Sequence, residues 1–355
     1  MNYNENNPFS VTFGKEPKNY INRLVQENQI IKDFEQDIPV SQIYLITGVR
    51  GSGKTVMLSN ITKHFSSKTD WIIVDLNPER DLLESLAAKL YDNAKIKHLF
   101  LNKSFSFSFH GIGLNIKGEK PISDVESLLD IMLSELKKNN KKVLITIDEV
   151  TNNQSIKTFA HTFQGFMRKD YAVCLLMTGL YENLNKLENE KTLTFLYRAP
   201  KITLQALSIQ AISNSYQNIF ELDMDEGNNL ARLTNGYAFA YQVLGFLMWN
   251  RKSTEISKDL LSLYDQYLEE YVYEKMYSEL SKKEIALLNG MSSNVDQVSI
   301  LIKNSQFNKN EFSVYRDRLK KIGIINTDTF GVVKLALPRF YEFIQTKKIL
   351  MWGWT

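Results

Sequence analysis

Two kinds of apolar pattern alternate along residues 1–205. Between 82 and 90, and again between 156 and 167, apolar residues recur every three or four positions, which indicates amphipathic helices. Short continuous apolar runs lie between such stretches, as is typical of strands buried on both faces. These runs occupy residues 42–47, 71–76, 142–147, 172–178 and 201–204. Strands that alternate with helices predict an α/β domain with a parallel sheet, and Asn77-Pro78 predicts the start of the helix after the second strand.

Residues 104–116 interrupt this alternation. Apolar and polar residues alternate on both sides of a Gly-containing turn, which is typical of a β-hairpin. We interpret the hairpin as an insertion in the α/β domain. It either packs along the edge of that domain or contacts a partner such as nucleic acid, and the sequence leaves both alternatives open.

Beyond residue 206 the pattern becomes helical, and the chain is expected to form two further domains. Residues 206–278 predict a helical lid with helices over 208–220, 226–234, 237–250 and 257–278. Residues 279–355 predict a winged helix, because a capping box at Ser281 and Glu284 opens a first helix. Its second and third helices and its two wing strands are expected over residues 298–302, 311–321, 324–325 and 332–335.

Residues 48–55 read GVRGSGKT and match the motif G-x-x-x-x-G-K-[ST] between a predicted strand and a predicted helix. In such a P-loop the backbone N–H groups point inwards and hold phosphate oxygens, and the following helix presents its positive amino end. Lys54 is expected to reach the β- and γ-phosphates of ATP, and Thr55 to hold Mg²⁺. The predicted nucleotide-binding residues of this segment are Gly48, Val49, Arg50, Gly51, Ser52, Gly53, Lys54, Thr55 and Val56.

The apolar run over 142–147 leads directly into Asp148 and Glu149. A buried strand that ends in a carboxylate places Asp148 beside the phosphate loop, where it can hold Mg²⁺ through water. Glu149 comes next and can orient or deprotonate the attacking water as a catalytic base. Many strands end in acidic residues, so this pair is informative only in combination with Lys54.

With these motifs the chain resembles the additional-strand P-loop ATPases, in the range from AAA+ replication initiators to STAND ATPases. It is most similar to archaeal-ATPase-like proteins with a C-terminal winged helix. The resemblance covers most of the chain and implies an α/β P-loop ATPase domain that hydrolyses ATP. Residues 234–240 read TNGYAFA and resemble the Gly-x-Pro motif of STAND lids, with Ala238 in place of the proline. An AAA+ lid would carry an arginine near Phe239, and none is present there.

The resemblance also implies roles for four residues outside the P-loop. Residues 20–23 correspond to a segment that lines the adenine pocket in relatives, which makes Ile21 and Arg23 candidates, although Asn22 stands where relatives have Gly. Thr178, at the end of the fourth strand, corresponds to the polar sensor of the γ-phosphate. Arg198, before the fifth strand, corresponds to an arginine that stabilises transition-state charge, either in cis or in a neighbouring subunit. Alternatively these residues have no function in the site: Thr178 is then a threonine at a strand end, and Arg23 and Arg198 are surface arginines.

The third predicted helix of the winged helix has a basic end formed by Arg316, Arg318, Lys320 and Lys321. If the module binds duplex DNA, this helix enters the major groove. The alternative is a module that docks protein, and it is favoured because Glu311 and Asp317 lie in the same helix and the net charge of the chain is only +3. The expected partner is therefore a protein or duplex DNA.

Composition limits the remaining possibilities. Of the 355 residues 43% are apolar, which is enough to form the cores of two or three domains. The single cysteine, Cys174, lies in an apolar run and indicates a buried thiol in a reducing compartment. The four histidines lack metal-site spacing, so no zinc site is expected. No signal peptide and no apolar run of about 18 residues are present, so we expect a cytoplasmic, soluble protein without a membrane segment.

Together these features predict an ATPase that binds ATP or ADP with Mg²⁺ and acts as a regulatory switch coupled to a winged helix. It is a possible homo-oligomer. The alternative is a DNA-binding, initiator-like AAA+ ATPase, and a third hypothesis is a chaperone-like remodelling ATPase.

Overall fold

The computed structural model describes residues 6–12, 17–101, 107–109, 112–114, 124–304 and 307–352. The chain divides into two compact units, each made of more than one segment. The sheet unit comprises Arg23–Thr47 and Lys54–Thr203. The helical unit comprises Gly48–Gly53 together with the described parts of Met1–Asn22 and Leu204–Thr355.

The sheet unit alternates helices and strands, as the sequence predicts. In chain order its elements are α1 (Leu24–Glu35), β1 (Ile43–Thr47), α2 (Lys54–Ser66), β2 (Trp71–Leu76), α3 (Leu82–Asp92), α4 (Lys97–Leu101), β3 (Phe107–Phe109), β4 (Ile112–Leu114), α5 (Val125–Lys138), β5 (Lys142–Ile147), α6 (Gln154–Arg168), β6 (Val173–Gly179), α7 (Tyr181–Glu188), α8 (Thr194–Tyr197) and β7 (Lys201–Thr203).

Five of these strands form one sheet in the order β2-β5-β6-β1-β7, and every neighbouring pair is parallel. Strand β6 lies between β1 and β5, which is the additional strand that the resemblance implies. Residues Leu45, Ile145 and Leu175 on three adjacent strands are at most 1% exposed, as expected for a sheet covered on both faces. The predicted α/β fold with a parallel sheet is therefore confirmed.

Helix α3 begins later than the sequence suggests. Asp81 caps it, because its side chain accepts a hydrogen bond from the Glu84 N–H. Asn77 instead accepts from the Glu79 N–H at 2.9 Å and closes a local turn. The expectation that Asn77-Pro78 starts the helix is wrong, since Asn stabilises turns and helix starts by the same kind of bond.

The predicted hairpin over residues 104–116 is described only for its two strands. Strands β3 and β4 pair antiparallel, with Phe107 opposite Leu114 and Phe109 opposite Ile112. The other residues of that prediction lie outside the described part of the chain.

The helical unit contains the remaining elements. In chain order they are α9 (Ile209–Phe220), α10 (Met224–Leu233), α11 (Ala238–Arg251), α12 (Lys258–Leu268), a π-helical turn (Glu269–Tyr273), α13 (Glu274–Ser278), α14 (Lys282–Asn289), β8 (Val295–Gln297), α15 (Val298–Asn304), α16 (Lys309–Lys321), β9 (Ile325–Asn326), β10 (Val332–Leu335) and α17 (Phe340–Trp352). Within the described ranges, no helix of either unit is both long and apolar enough to cross a membrane.

The described residues of 279–352 form what we call the C-terminal module, in which four helices precede or flank a three-stranded antiparallel sheet ordered β8-β10-β9. The sequence of elements from α14 to β10 is helix, strand, helix, helix, strand, strand, which is the order typical of a winged helix. The predicted capping box is present, since Ser281 and Glu284 bond each other's backbone N–H groups. Strand β8 and helix α17 were not expected from the sequence.

One hydrophobic core connects the parts of the helical unit. It includes Tyr241 of α11, Tyr273 of the π-helical turn and Leu319 of α16, each at most 1% exposed. Phe9 of the N-terminal segment joins the same core, because its ring stacks on Phe220 with centroids 5.7 Å apart. The N-terminal segment is therefore held by the helices that follow the sheet, through contacts more than 200 residues apart in sequence.

Candidate functional site

Three neighbouring strands bring the predicted polar residues to one edge of the sheet. Strand β6 lies beside both β1 and β5, and Thr178 near its carboxyl end is opposite Ile46 near the carboxyl end of β1. Asp148 directly follows the last residue of β5. Because all three strands are parallel, their carboxyl ends meet, and ligands of open parallel sheets bind beyond this edge.

Four residues of the sheet unit form a hydrogen-bonded group that we call the Asp148 cluster: Thr55, Asp148, Glu149 and Thr178. The Thr55 hydroxyl donates to Oδ2 of Asp148 at 2.7 Å, and the Thr178 hydroxyl donates to Oδ1. The Glu149 N–H donates to the same Oδ1 at 2.9 Å and to Oγ1 of Thr178 at 3.3 Å. Both oxygens of the Asp148 carboxylate are therefore oriented by neighbouring donors.

Glu149 has an unusual backbone within this cluster. Its φ is 54°, in the left-handed region that costs a residue with a side chain roughly 1–3 kcal/mol. The following N–H, of Val150, donates to the Thr178 carbonyl at 2.8 Å, which helps to hold this conformation. The Glu149 side chain is exposed, whereas Thr178 is fully buried. The cluster thus presents one carboxylate to solvent from a fixed backbone.

The donor set of the cluster fits a magnesium ion. Mg²⁺ prefers hard oxygen ligands and usually takes one or two carboxylates, completing its shell with water and substrate phosphates. The Thr55 hydroxyl and the Asp148 carboxylate are such ligands, and they already lie within hydrogen-bond distance of each other. The described residues hold no group of three or more His, Cys, Asp or Glu side chains suited to a metal ion. A metal here would therefore depend on phosphate and water ligands.

The predicted phosphate loop, Gly48–Gly53, connects β1 to α2, and Lys54, Thr55 and Val56 form the first turn of that helix. The structure thus places the motif between a strand and a helix, as the sequence predicts. The loop closes a local turn in which the Ser52 N–H donates to the Val49 carbonyl at 3.2 Å.

Gly51 occupies a position at which the P-loop motif accepts any residue, yet here the structure requires glycine. Its φ is +69°, and a Cβ atom would lie 2.5 Å from Oη of Tyr237 and 2.8 Å from Cβ of Phe239. The sequence motif did not identify Tyr237 or Phe239 as neighbours of the loop. The one available signal was their position within the lid motif at residues 234–240.

The lid motif lies at the start of helix α11. Tyr237 is the N-cap residue and Ala238 is the first helical residue. Proline suits this position because it has no N–H and because its φ is already helical. The chain therefore has alanine at a place where the proline of the Gly-x-Pro motif would fit. Gly236 has a φ of +74°, and the Leu207 carbonyl oxygen lies 2.6 Å from the position that a Cβ atom of residue 236 would occupy, so a side chain does not fit there.

The two adenine-pocket candidates belong to different units of the chain. Ile21 packs against the core of the helical unit, and Arg23 directly precedes α1 in the sheet unit. Burial lowers the pKa of the Arg23 guanidinium, and the nearby Glu27 carboxylate opposes that shift. Glu27 in turn accepts a hydrogen bond from Asn60 of α2 at 3.1 Å. Glu27, one turn after Arg23, therefore links the start of α1 to α2, the helix that follows the phosphate loop.

Arg198 lies apart from the Asp148 cluster. It follows α8 and precedes β7, at the amino end of that strand, and its side chain is exposed. Among the residues that the structure describes, no hydrogen bond or ion pair joins the Arg198 side chain to the cluster. The structure thus brings together Thr55, Asp148, Glu149 and Thr178 but not Arg198.

The strand order, the loop between β1 and α2, and the Thr55–Asp148 contact define the fold of the P-loop ATPases. A family model described as an ATPase domain predominantly from Archaea matches residues 22–196. A search of curated proteins finds no significant match.

Two solved structures are similar to nearly the whole chain. The Walker-type ATPase of Pyrococcus abyssi has 15% sequence identity and a TM-score of 0.59, over 92% of this chain and 96% of that chain. The ORC2 protein of Aeropyrum pernix, solved in ADPNP–ADP complexes, has 14% identity and a TM-score of 0.58, over 95% of this chain and 98% of that chain. At such identities the likeness concerns the fold.

Proposed function

We propose that the protein is a Mg²⁺-dependent ATPase that acts as a regulatory switch coupled to its C-terminal module. The observation that carries this proposal is the Asp148 cluster, in which the first turn after the phosphate loop is bonded to the end of β5 through Thr55 and Asp148. We further propose three functional domains: an ATPase domain over residues 1–205, a helical lid over 206–278 and a winged helix over 279–355.

Each residue of the site has a role in this proposal. The loop N–H groups and Lys54 hold the phosphates of ATP, and Arg23 and Ile21 contact the adenine. Thr55 and Asp148 are the residues that would hold Mg²⁺, which when bound neutralises charge on the β- and γ-phosphates. The exposed carboxylate of Glu149 orients and deprotonates the attacking water.

Thr178 connects these roles. Its buried hydroxyl bonds both Asp148 and the Glu149 N–H, so a change at the γ-phosphate can reach the catalytic base through one side chain. We therefore assign the sensor role to Thr178.

We assign to Arg198 a role in a homo-oligomer. Its exposed guanidinium, without a bond to the cluster of its own chain among the described residues, suits a charge that stabilises the transition state in a neighbouring copy. ATP turnover per chain should then rise with protein concentration.

The experiment that tests the proposed activity replaces Glu149 by Gln. ATP binding should be retained, because the amide has the same shape. The rate of phosphate release should fall by about 100-fold or more, because the amide cannot accept the proton of water. Isothermal titration and a phosphate-release assay measure the two properties, and Glu79→Gln, at another exposed glutamate of the sheet unit, serves as the control.

Turnover within twofold of the wild type in Glu149→Gln would show that Glu149 is not the base. A wild-type protein that binds ATP without hydrolysing it would be a binding switch, and one that does not bind ATP would refute the proposal.

We propose a protein partner for the C-terminal module. Basic residues at the end of α16 have carboxylate partners within the module: Arg316 pairs with Asp317 at 2.9 Å, and Arg318 pairs with the buried Glu284 at 3.2 Å. At the turn between β9 and β10, Phe330 is fully exposed. Reduced positive charge and an exposed aromatic side chain favour protein over the phosphate backbone of DNA.

The alternative function is a DNA-binding, initiator-like AAA+ ATPase. The exposed Lys320 on α16 and the similarity in fold to the ORC2 protein, which includes the C-terminal module, favour it. The salt dependence of DNA binding separates the two functions.

A further inference from the structure

The phosphate loop is bonded to the start of helix α11 through two successive carbonyl groups. The Tyr237 hydroxyl donates to the Arg50 carbonyl at 2.6 Å, and the Phe239 N–H donates to the Gly51 carbonyl at 3.1 Å. All four residues belong to the helical unit. In a P-loop the backbone N–H groups must face the phosphates. Donors that bond the loop carbonyls on the side away from the phosphates therefore favour the conformation that binds them.

The Tyr237 bond is protected from water. The side chain is 5% exposed, and burial raises the pKa of Tyr237 far above its usual value, so the phenol remains a donor at any working pH. A buried carbonyl that loses such a donor keeps the full cost of its desolvation. The bond to Arg50 is therefore worth more than a similar bond at the surface.

Two further contacts of the loop involve the C-terminal module. The Arg50 guanidinium pairs with Glu279 at 3.3 Å, but both side chains are more than a third exposed, at 34% and 41%, and such pairs contribute little. Val49 packs closely against Gly323, because a Cβ atom added to Gly323 would lie 3.1 Å from the Cβ atom of Val49. Glu279 and Gly323 both belong to the C-terminal module, so the loop also contacts the proposed partner-binding module.

We propose that Tyr237 is a positioning residue for the phosphate loop: its hydroxyl holds the Arg50 carbonyl and thereby keeps the loop ready to receive the phosphates of a nucleotide. The inference rests on the proposed nucleotide binding and extends it to a residue outside the motif. Because Tyr237 bonds the backbone of the loop and not the ligand, its loss reduces the fraction of molecules with a competent loop. The apparent affinity for nucleotide falls in proportion to the fraction of molecules that keep a competent loop, whereas the bound state and its chemistry remain the same.

The test is Tyr237→Phe, which removes only the hydroxyl. Tyr273→Phe is the matched control, because the Tyr273 hydroxyl also donates to a backbone carbonyl at 2.6 Å, that of Pro338, and the side chain is 1% exposed. In Tyr237→Phe the Kd values for ATP and ADP and the KM for ATP should rise about tenfold, with kcat within about twofold of the wild type. In Tyr273→Phe all four quantities should stay within about twofold.

A second measurement does not depend on nucleotide. Hydrogen exchange of the amides over residues 49–53, in protein without added nucleotide, should be about fivefold faster or more in Tyr237→Phe and unchanged in Tyr273→Phe. Unchanged exchange in Tyr237→Phe, or an equal loss of affinity in the two variants, overturns the inference. If the wild type binds no nucleotide, the proposed function fails, and the exchange rates alone decide whether Tyr237 positions the loop.

Discussion

The hydroxyl of Thr178 connects the two acidic residues of the candidate site. It donates to Asp148 and accepts the Glu149 N–H at 3.3 Å, although Thr178 itself is fully buried. The backbone strain at Glu149 is held by the same strand end, through the bond from Val150 to the Thr178 carbonyl. Strained residues persist where the surroundings hold them in place, and they concentrate at functional sites.

Thr178→Val should therefore separate hydrolysis from binding. The valine keeps the shape and removes the hydroxyl, so we expect ATP hydrolysis to fall at least about tenfold while ATP affinity changes by less than about threefold. Thr146→Val is the control, because the buried Thr146 on β5 also donates to a carboxylate, that of Asp75 at 3.0 Å. Both variants should lose roughly 1–3 kcal/mol of unfolding free energy.

Chemical denaturation and a phosphate-release assay measure these effects. An equal loss of hydrolysis in both variants would contradict the sensor role of Thr178, because it would show only a general loss of stability.

Helix α16 shows how carboxylate partners change the meaning of a charge pattern in the sequence. The sequence shows a basic helix end, as in a helix that reads DNA. The structure gives Arg316 and Arg318 carboxylate partners, while Lys320 is exposed. The basic end also lies in the last turns of the helix, where the helix dipole favours positive charge without any ligand.

We expect the wild-type protein to show no salt-dependent affinity for duplex DNA. The variant that replaces Arg316 and Lys320 by alanine should alter partner binding or ATPase activity. Binding measured by fluorescence anisotropy at several salt concentrations tests this. The control variant replaces both Lys63 and Lys138 by alanine. These exposed lysines belong to the sheet unit, and the change of charge is the same.

The opposite result would support the initiator-like function. In that case affinity falls steeply with salt, and the Arg316 and Lys320 replacements flatten the slope by about two units, one for each lost phosphate contact.

The strands of the sheet were predictable because their signal is local. A buried strand is a short apolar run, and the predicted runs differ from the observed strands by at most one residue at either end. Elements with a weaker local pattern were missed or misjudged. Strand β8 has three residues, two of them polar. The predicted helix over 257–278 is interrupted by the π-helical turn Glu269–Tyr273, which the apolar spacing did not reveal.

The contact between Thr55 and Asp148 was predictable from the sequence, whereas the division of the chain into two units was not. Thr55 and Asp148 are 93 residues apart, but Asp148 directly follows β5, and Thr55 lies in the first helical turn after the loop that follows β1. Parallel strands bring their carboxyl ends together, and with them these two residues. The assignment of the phosphate loop and the N-terminal segment to the helical unit depends on contacts such as Tyr237 with Arg50, 187 residues apart. Contacts of this kind leave no pattern in the neighbouring sequence.

We propose above all that residues 48–55 bind the phosphates of ATP. Of the motif residues in the first turn of α2, Lys54 carries the positive charge that can neutralise the phosphates. Lys54→Ala should therefore weaken ATP binding by about 100-fold or more. Lys63→Ala, on the same helix α2, should leave the affinity unchanged.

Isothermal titration of the wild type and both variants with ATP and Mg²⁺ is the most direct measurement. We expect saturable binding by the wild type and by Lys63→Ala, and none detectable in Lys54→Ala under the same conditions. Near-normal affinity in Lys54→Ala, or no binding by the wild type, would contradict it.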